Sequence, residues 1–315
     1  MTERYEGEMK ADVVCFGMLT PVFILVVDEL PEHNTGALVD DYSEFIFDDA
    51  AIVACLLRQW NVQSGLIGTT LGYDRHGRYL ARRLKKLGVL GEVRFSKQIR
   101  TPIEVDVSDR TGARTYFWQR KPEVLQTLET ADLSLLRGAR FLYVDWYDGD
   151  PIIRAMDEAR RQGIPVFLNL EHGHQDIHRL HTYAGRATIC QAVTDAAQRG
   201  AHDPMELAKK LLAVGVKIAL VTLAGEGCLV VNEHQAVRVW APKVAVVDGC
   251  GAGAVFSTGF IYGLLQGWDC ELSACFATAA ASLKVSRVGL QLSPVDEVLK
   301  LAQQLRREVW QLQPM

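Results

Sequence analysis

Short apolar runs alternate with amphipathic stretches along most of this chain. Ala11 to Phe16 is apolar and closes at Gly17, the pattern of a buried strand. Phe23 to Val27 and Ala37 to Phe47 are rich in β-branched or aromatic residues. The second sets Val39, Tyr42, Phe45 and Phe47 among polar neighbours, so both predict strands with one solvent-facing side. Ala50 to Trp60 predicts a helix and Gln63 to Gly68 a strand. Arg75 to Leu87 predicts an amphipathic helix with Leu80, Leu84 and Leu87 on one face and basic residues on the other. Three further strands are expected at Glu92 to Ser96, Ile103 to Val107 and Arg114 to Trp118, the last two joined by a turn at Asp109 to Gly112.

From Phe141 onward the alternation is regular. Strands are expected at Phe141 to Val144, Val166 to Leu170, Ala187 to Cys190 and Ile218 to Thr222. Helices fall between them at Ile152 to Arg161, Gln175 to Tyr183 and Pro204 to Val214. Short connections between alternating strands and helices predict a mostly parallel sheet covered on both faces. A hairpin at Cys228 to Val231 and Val237 to Trp240 follows, then helices at Ala252 to Leu265, Cys270 to Val285 and Val295 to Val309. The expected architecture is α/β: a doubly wound, mostly parallel sheet with helices on both faces. It forms one domain over residues 1–315. The early half-exposed strands, at about 22–47 and 92–119, make a separate small β-sheet, a lid or a surface for a homodimer.

Composition narrows the function classes. The 315 residues are 49% hydrophobic and 23% charged, with a net charge of −4, ordinary for a globular protein and no invitation to nucleic acid or an anionic membrane. No apolar run reaches membrane-spanning length, and the charged N-terminus lacks the apolar core of a signal peptide. Seven cysteines, an odd number without metal-ligand spacing and mostly in apolar stretches, read as reduced buried thiols. The expected location is the cytoplasm.

The segment richest in chemistry is Val247-Asp-Gly-Cys-Gly-Ala-Gly-Ala-Val-Phe-Ser-Thr-Gly259. An apolar run ends at Asp248, Gly249, Gly251 and Gly253 follow, and an apolar helix begins. Glycines between strand and helix let backbone N–H groups converge on an anion at a helix N-terminus. The same residues also suit a tight turn that needs positive φ.

Asp248 to Ala254 resembles the Asp-Thr-x-Gly-Ala-Gly-Asp signature of PfkB/ribokinase-type carbohydrate kinases, with ketohexokinase-like spacing, and Phe256 and Gly259 match as well. Gly68 to Gly77, closed by Leu87-Gly88-Val89, resembles the family's Gly-x-Asp-x-x-Gly segment. Thr222-Leu-Ala-Gly225-Glu-Gly227 resembles its Thr-x-Gly-x-x-Gly strand–turn, and Ala277 to Val285 with Gly289 its Ala-rich helix near the adenine. The resemblance implies a ribokinase-like fold and ATP-dependent phosphorylation of a sugar hydroxyl, with ATP and Mg as cofactors and a sugar or nucleotide as small-molecule ligand. It places an anion hole at Gly251, Ala252 and Gly253, and nucleotide contacts at Thr222, Gly225, Gly227 and Asp248. It also places the catalytic base at position 254, where this chain has alanine, so no catalytic residue is intact. A methyl group cannot take a proton, and losing a general base costs roughly 10²–10⁴-fold in rate.

Other positions depart too. Val22 stands near the family's sugar-binding aspartate, and Ile52 about where its sugar-binding asparagine would sit. Gln191-Ala-Val-Thr-Asp195 is a degenerate form of its Asn-x-x-Glu segment. The implied protein is a kinase-like one impaired in the standard reaction, with nucleotide or phosphate binding retained. The alternatives are an active small-molecule kinase with a rearranged site, or a structural or regulatory partner. On the substrate side, Asp48 and Asp49 read either as helix N-cap and first-turn acid or as a group for a cationic ligand. Arg114, with Arg110, Arg120 and Lys121, lies near the substrate side in the family, although such residues read first as surface charges on a half-buried sheet. The histidines of His172 to His181 read as a polar loop and solvated helix, and no metal site is expected.

Overall fold

Val13–Gly17 (β1) is buried along all five residues, as an unbroken apolar run requires of a central parallel strand. The computed structural model describes residues 10–111, 114–194 and 203–312. After β1 come β2 (Thr20–Val27), β3 (Val39–Phe47), α1 (Asp49–Gln59), β4 (Ser64–Gly68), β5 (Leu71–Gly72) and α2 (Arg75–Leu87). Then follow β6 (Phe95–Ser96), β7 (Glu104–Ser108), β8 (Arg114–Trp118) and α3 (Pro122–Gln126). The regular part is β9 (Phe141–Asp145), α4 (Pro151–Arg161), β10 (Val166–Glu171), α5 (Ile177–Tyr183), β11 (Ile189–Val193), α6 (Pro204–Ala213) and β12 (Ile218–Thr222). The chain continues through β13 (Cys228–Val231), β14 (Gln235–Val239), α7 (Ala252–Leu265), α8 (Cys270–Val285), α9 (Val295–Gln304) and β15 (Arg307–Gln311).

The large sheet runs β15-β14-β13-β12-β11-β10-β9-β1-β4. Pairing is parallel from β4 to β12 and antiparallel from β12 to β15. Residues of α1, α7, α8 and α9 pack on one face of the sheet, and those of α4, α5 and α6 on the other. Helix α1 buries eight consecutive residues, Ala50 to Leu57, and α7 is apolar nearly all round, so each lies inside rather than on the surface. Successive strands are added on opposite sides of β1, and the order reverses between β1 and β9. In open α/β sheets a crevice opens at the strand C-terminal ends at such a point.

A second sheet, β3-β2-β7-β8, stands beside that crevice. Its inner face reaches the main body: the Ser108 hydroxyl donates to Asp248 Oδ1 at 3.1 Å, and the Tyr79 hydroxyl of α2 donates to the Glu44 carbonyl at 3.4 Å. The fold is thus the ribokinase-like α/β arrangement expected, a large mixed sheet with helices plus a smaller separate sheet.

Two elements differ from expectation. The strand expected at Glu92 to Ser96 shrinks to Phe95–Ser96 and pairs with Leu71–Gly72, so it is no part of the lid; the lid sheet is built by 20–47 and 104–118. The helix expected from Val295 to Val309 ends at Gln304, and Arg307–Gln311 pairs antiparallel with β14 instead. Local helical periodicity ran past the point where β14 offers an unpaired strand edge. The adjoining arginine adds a contact, with the Arg306 guanidinium 4.2 Å from the Trp240 ring centre. Gly112 and Asp195 lie outside the described residues. The seven cysteines carry no disulfide and six of them are buried. No helix among the described residues is long and apolar enough to cross a membrane.

Candidate active site

The glycine loop enters α7 as its sequence predicts. Gly251 is the N-cap and adopts the left-handed conformation, φ +68°. A Cβ there would stand 2.5 Å from Leu290 Cδ2, so both backbone and space require glycine. No side chain caps the helix. The Ala252 N–H donates to the Gly249 carbonyl at 3.3 Å and the Val255 N–H to the Gly251 carbonyl at 2.9 Å; a helix start without a side-chain cap suits an incoming anion. Ala254 is fully buried, and its carbonyl accepts from the Thr258 hydroxyl at 2.7 Å.

Asp248 holds this loop from beneath. Its Oδ1 accepts from the Cys250 N–H at 2.8 Å, and its Oδ2 from the Gly289 N–H at 3.0 Å and from Lys284 Nζ at 2.8 Å. Lys284 Nζ donates also to the Asp248 carbonyl at 2.7 Å. Both side chains of the pair are at most 1% exposed. Burial pushes the Lys284 ammonium down, and the Asp248 charge opposes that shift. Asp248, expected among nucleotide contacts, has its carboxylate taken up by the protein itself.

The other nucleotide candidates sit on the β12–β13 connection. Thr222 donates to the Ala192 carbonyl at 3.4 Å, and Gly225 faces open space. Gly227, φ +96°, passes so close to the Val239 carbonyl that a Cβ would collide. The next residue, Cys228, meets the Thr278 hydroxyl of α8 at 3.4 Å.

The floor of the crevice comes from strand ends. Asp145, Asn169 and Gln191 lie side by side in register on β9, β10 and β11. The Asn169 amide donates to Asp145 Oδ2 at 2.7 Å, Asp49 Oδ2 at 2.9 Å and Glu171 Oε1 at 3.2 Å. Gln191 Nε2 donates to the Gly253 carbonyl at 3.4 Å, and its Oε1 accepts from Ser257 at 2.8 Å, so the floor is tied to the glycine loop. Glu171 has φ +43°, a rare backbone state for a non-glycine residue and one that clusters at functional sites. Oxygens of Asp49, Asp145 and Glu171 lie within 4.8 Å of one another, the one such potential ligand group among the described residues. The histidines of 172–181 form no such group. His178 and His181 are exposed on α5, while His174 is buried with Nε2 3.4 Å from the Val193 carbonyl.

Asp48 and Asp49 act in two ways. Asp48 is the N-cap of α1, accepting from the Asp49 N–H at 2.9 Å, worth about 1 kcal/mol. Its other oxygen pairs with Arg120 at 2.5 Å, and Arg120 also approaches Asp148 at 4.0 Å. Arg114 stands 3.8 Å from Asp106. Here the surface-charge expectation needs correcting. Arg110 and Lys121 pair with exposed acids, but Arg120 turns inward and is only 17% exposed, because buried carboxylates on α1 and after β9 attract it. Burial first, and the neighbouring acids after it, push the Asp49, Asp145 and Asp148 carboxyls well up. Glu171 is raised mainly by burial. Glu104, on the inner face of β7, is pushed up to about 8 by burial and by Asp48.

A glycine-rich loop opening a buried helix, at the crevice of a sheet with a smaller sheet beside it, accords with the comparisons. The sequence matches the pfkB family carbohydrate kinase pattern over residues 10–297. This chain belongs to that family. The ATP-dependent 6-phosphofructokinase of Thermoanaerobacterium thermosaccharolyticum is 22% identical over 281 residues, covering 82% of this chain and 85% of that protein. Ribokinase from Thermotoga maritima superposes with a TM-score of 0.75 at 22% identity, over 93% of this chain and 99% of that one. Arabidopsis thaliana ribokinase, solved with ribose and ATP, gives 0.73 at 20% identity over 94% and 99%.

The pfkB family reaction is ATP-dependent phosphorylation of a sugar hydroxyl. In this pfkB chain the uncapped α7 N-terminus fits a phosphate. The segment matching the family's metal-organising motif fits Mg poorly. Gln191 is committed to Ser257 and Gly253, and Thr194 donates to the Thr222 carbonyl at 3.2 Å, so neither described position offers a carboxylate. Val22 and Ile52 are fully buried, and Ile52 Cδ1 packs beneath Gly251. The sequence motifs led to the glycine loop but not to Glu104, Asp145, Asn169 or Glu171. Their signal was present as polar residues breaking apolar runs at strand C-terminal ends, Val144-Asp145 and Leu168-Asn169-Leu170-Glu171.

Proposed function

We propose that this pfkB-family protein binds a nucleotide or phosphate at the α7 N-terminus and is impaired in phosphoryl transfer to ordinary sugars. One observation carries the reading: the residue following the anion loop at the base position is Ala254, wholly buried and without a proton acceptor. Val22 and Ile52 support it, because a sugar site without its hydrogen-bonding partners leaves hydroxyls unpaired. Calorimetry with ADP and ATP, joined to turnover over a panel of sugars and nucleosides, tests it. Nucleotide binding with turnover at least about 10²-fold below ordinary kinase rates of 1–100 s⁻¹ is expected. Turnover within that ordinary range would sink it.

A second reading, an active kinase with a rearranged site, draws on Asp49. Asp49 and Ile52 share one face of α1, and Ile52 packs beneath Gly251, which puts a carboxyl one turn from the anion loop. Under that reading Asp49→Asn abolishes whatever turnover the protein has; under the first it changes nothing measurable. Self-association through the lid is a further proposal, supported by Tyr42, Phe117 and Trp118 exposed on its strands. Sedimentation of the wild type against a Phe117→Asp/Trp118→Asp variant reads it.

A further inference from the structure

The lid returns a carboxyl close to where the family pattern has lost one. Val22 of β2 and Glu104 of β7 are partners in parallel register, so their side chains leave the same face of the lid sheet. Both are buried, Glu104 to 5% exposure. Glu104 Oε2 has no hydrogen-bond partner among the described residues, and the charges it senses are Asp48, Arg120, Asp106 and Arg114, all groups of the cleft. A buried carboxyl with an unpaired oxygen, beside Val22, is an unused binding group.

The floor shows a matching shortage of donors. Asn169 offers two amide hydrogens to three carboxylate oxygens, those of Asp49, Asp145 and Glu171. Across the cleft, the guanidiniums of Arg114 and Arg120 are outnumbered by carboxyls. A sugar hydroxyl brings one donor, together with lone pairs that repel carboxylate oxygens. An ammonium brings three donors and a positive charge.

We propose that the cleft beneath the lid takes a small sugar or polyol bearing a primary amine, whose ammonium is balanced by the floor carboxyls of Asp49, Asp145 and Glu171 and by Glu104 of the lid. The proposal deepens the reading of this cleft as a ligand site and rests on that reading, not on the loss of catalysis. A proton signature accompanies it. Without ligand, burial and the Asp48 charge push Glu104 up to about 8. An ammonium beside it favours the ionised form, so binding releases a proton to solvent and tightens as pH rises from about 5 to 7, below the range where the ligand's own amine loses its proton.

The test is calorimetry with glucosamine, galactosamine and mannosamine against glucose, galactose and mannose, in two buffers of different ionisation heat and without nucleotide. At least one amine should bind about tenfold or more tighter than its neutral parent, with net proton release. Glu104→Gln and Glu171→Gln should each weaken the amine about tenfold and leave the parent sugar within about twofold. Parents binding as tightly as amines, an amine-to-parent ratio unchanged in both variants, or no amine binding up to about 10 mM, a ligand scarcely worth 3 kcal/mol, would each overturn it. Amine binding with rapid phosphoryl transfer would sink only the impaired-kinase reading; neutral-sugar preference without transfer would sink only this one.

Discussion

Lys284 and Asp248 form an ion pair 2.8 Å long, with both side chains out of water, and through it α8 fixes the start of the glycine loop. Asp248 accepts at the same time from Cys250, Gly289 and Ser108, so loop, α8 and lid meet at one carboxylate. Breaking such a pair strands a charge in a poor solvent. Lys284→Met should therefore lower stability by about 3–5 kcal/mol in urea unfolding. Asp248→Asn should cost a similar amount and weaken ADP binding as well. A loss below about 1 kcal/mol in both variants would mean that water reaches the pair.

Gly251→Ala forces a β-carbon onto Leu290 in a left-handed backbone. A cost of about 1–3 kcal/mol is expected, with ADP affinity lost in calorimetry because the first-turn amides shift. Unchanged ADP affinity would place the nucleotide elsewhere.

Ala254→Asp restores the family's base in name only. Val22 and Ile52 remain buried apolar residues without hydrogen-bonding groups, so turnover should rise by less than about tenfold, against the roughly 10²–10⁴ that a general base usually supplies. A rise in that larger range in a coupled ATP assay would show that the sugar contacts survive.

Glu104 ties stability to pH. Its folded pKa, about 8, lies above the ordinary value of 4.5. Between those values the folded chain holds a proton that the unfolded chain releases, so stability falls as pH rises across this window. Glu104→Gln keeps the shape of the protonated acid and cannot ionise. It should stabilise the ligand-free protein by up to about 4 kcal/mol at pH 8 and by nothing measurable at pH 4. Equal effects at both pH values would rule this origin out.

Much of the architecture was legible in the sequence, because buried parallel strands are continuous apolar runs and Arg75–Leu87 shows its face by spacing alone. Gly251 was legible because backbone geometry and chain order both mark it. The final strand was not. Arg307–Gln311 is exposed along its length and helical by local pattern, and only the tertiary offer of β14's edge makes it a strand. Half of the cleft was hidden for a related reason. Glu104, Asp145 and the Asn169–Glu171 pair lie far apart along the chain and converge only when β7, β9 and β10 are placed. Arg120 looked like a surface charge because its partners, Asp48 and Asp148, are 72 and 28 residues away.

The inward turn of Arg120 bears on timing. This guanidinium sits on the segment leaving the lid, over the Tyr147 ring at 5.6 Å, and holds Asp48 of the main body. Were a ligand to reach the floor past this contact, its entry and exit would be throttled together. Salt loosens such contacts as they open to water. Stopped-flow mixing should thus find on- and off-rates rising together with ionic strength, while Arg120→Met exchanges its ligand faster in both directions. A gate of this kind sets residence time largely apart from affinity.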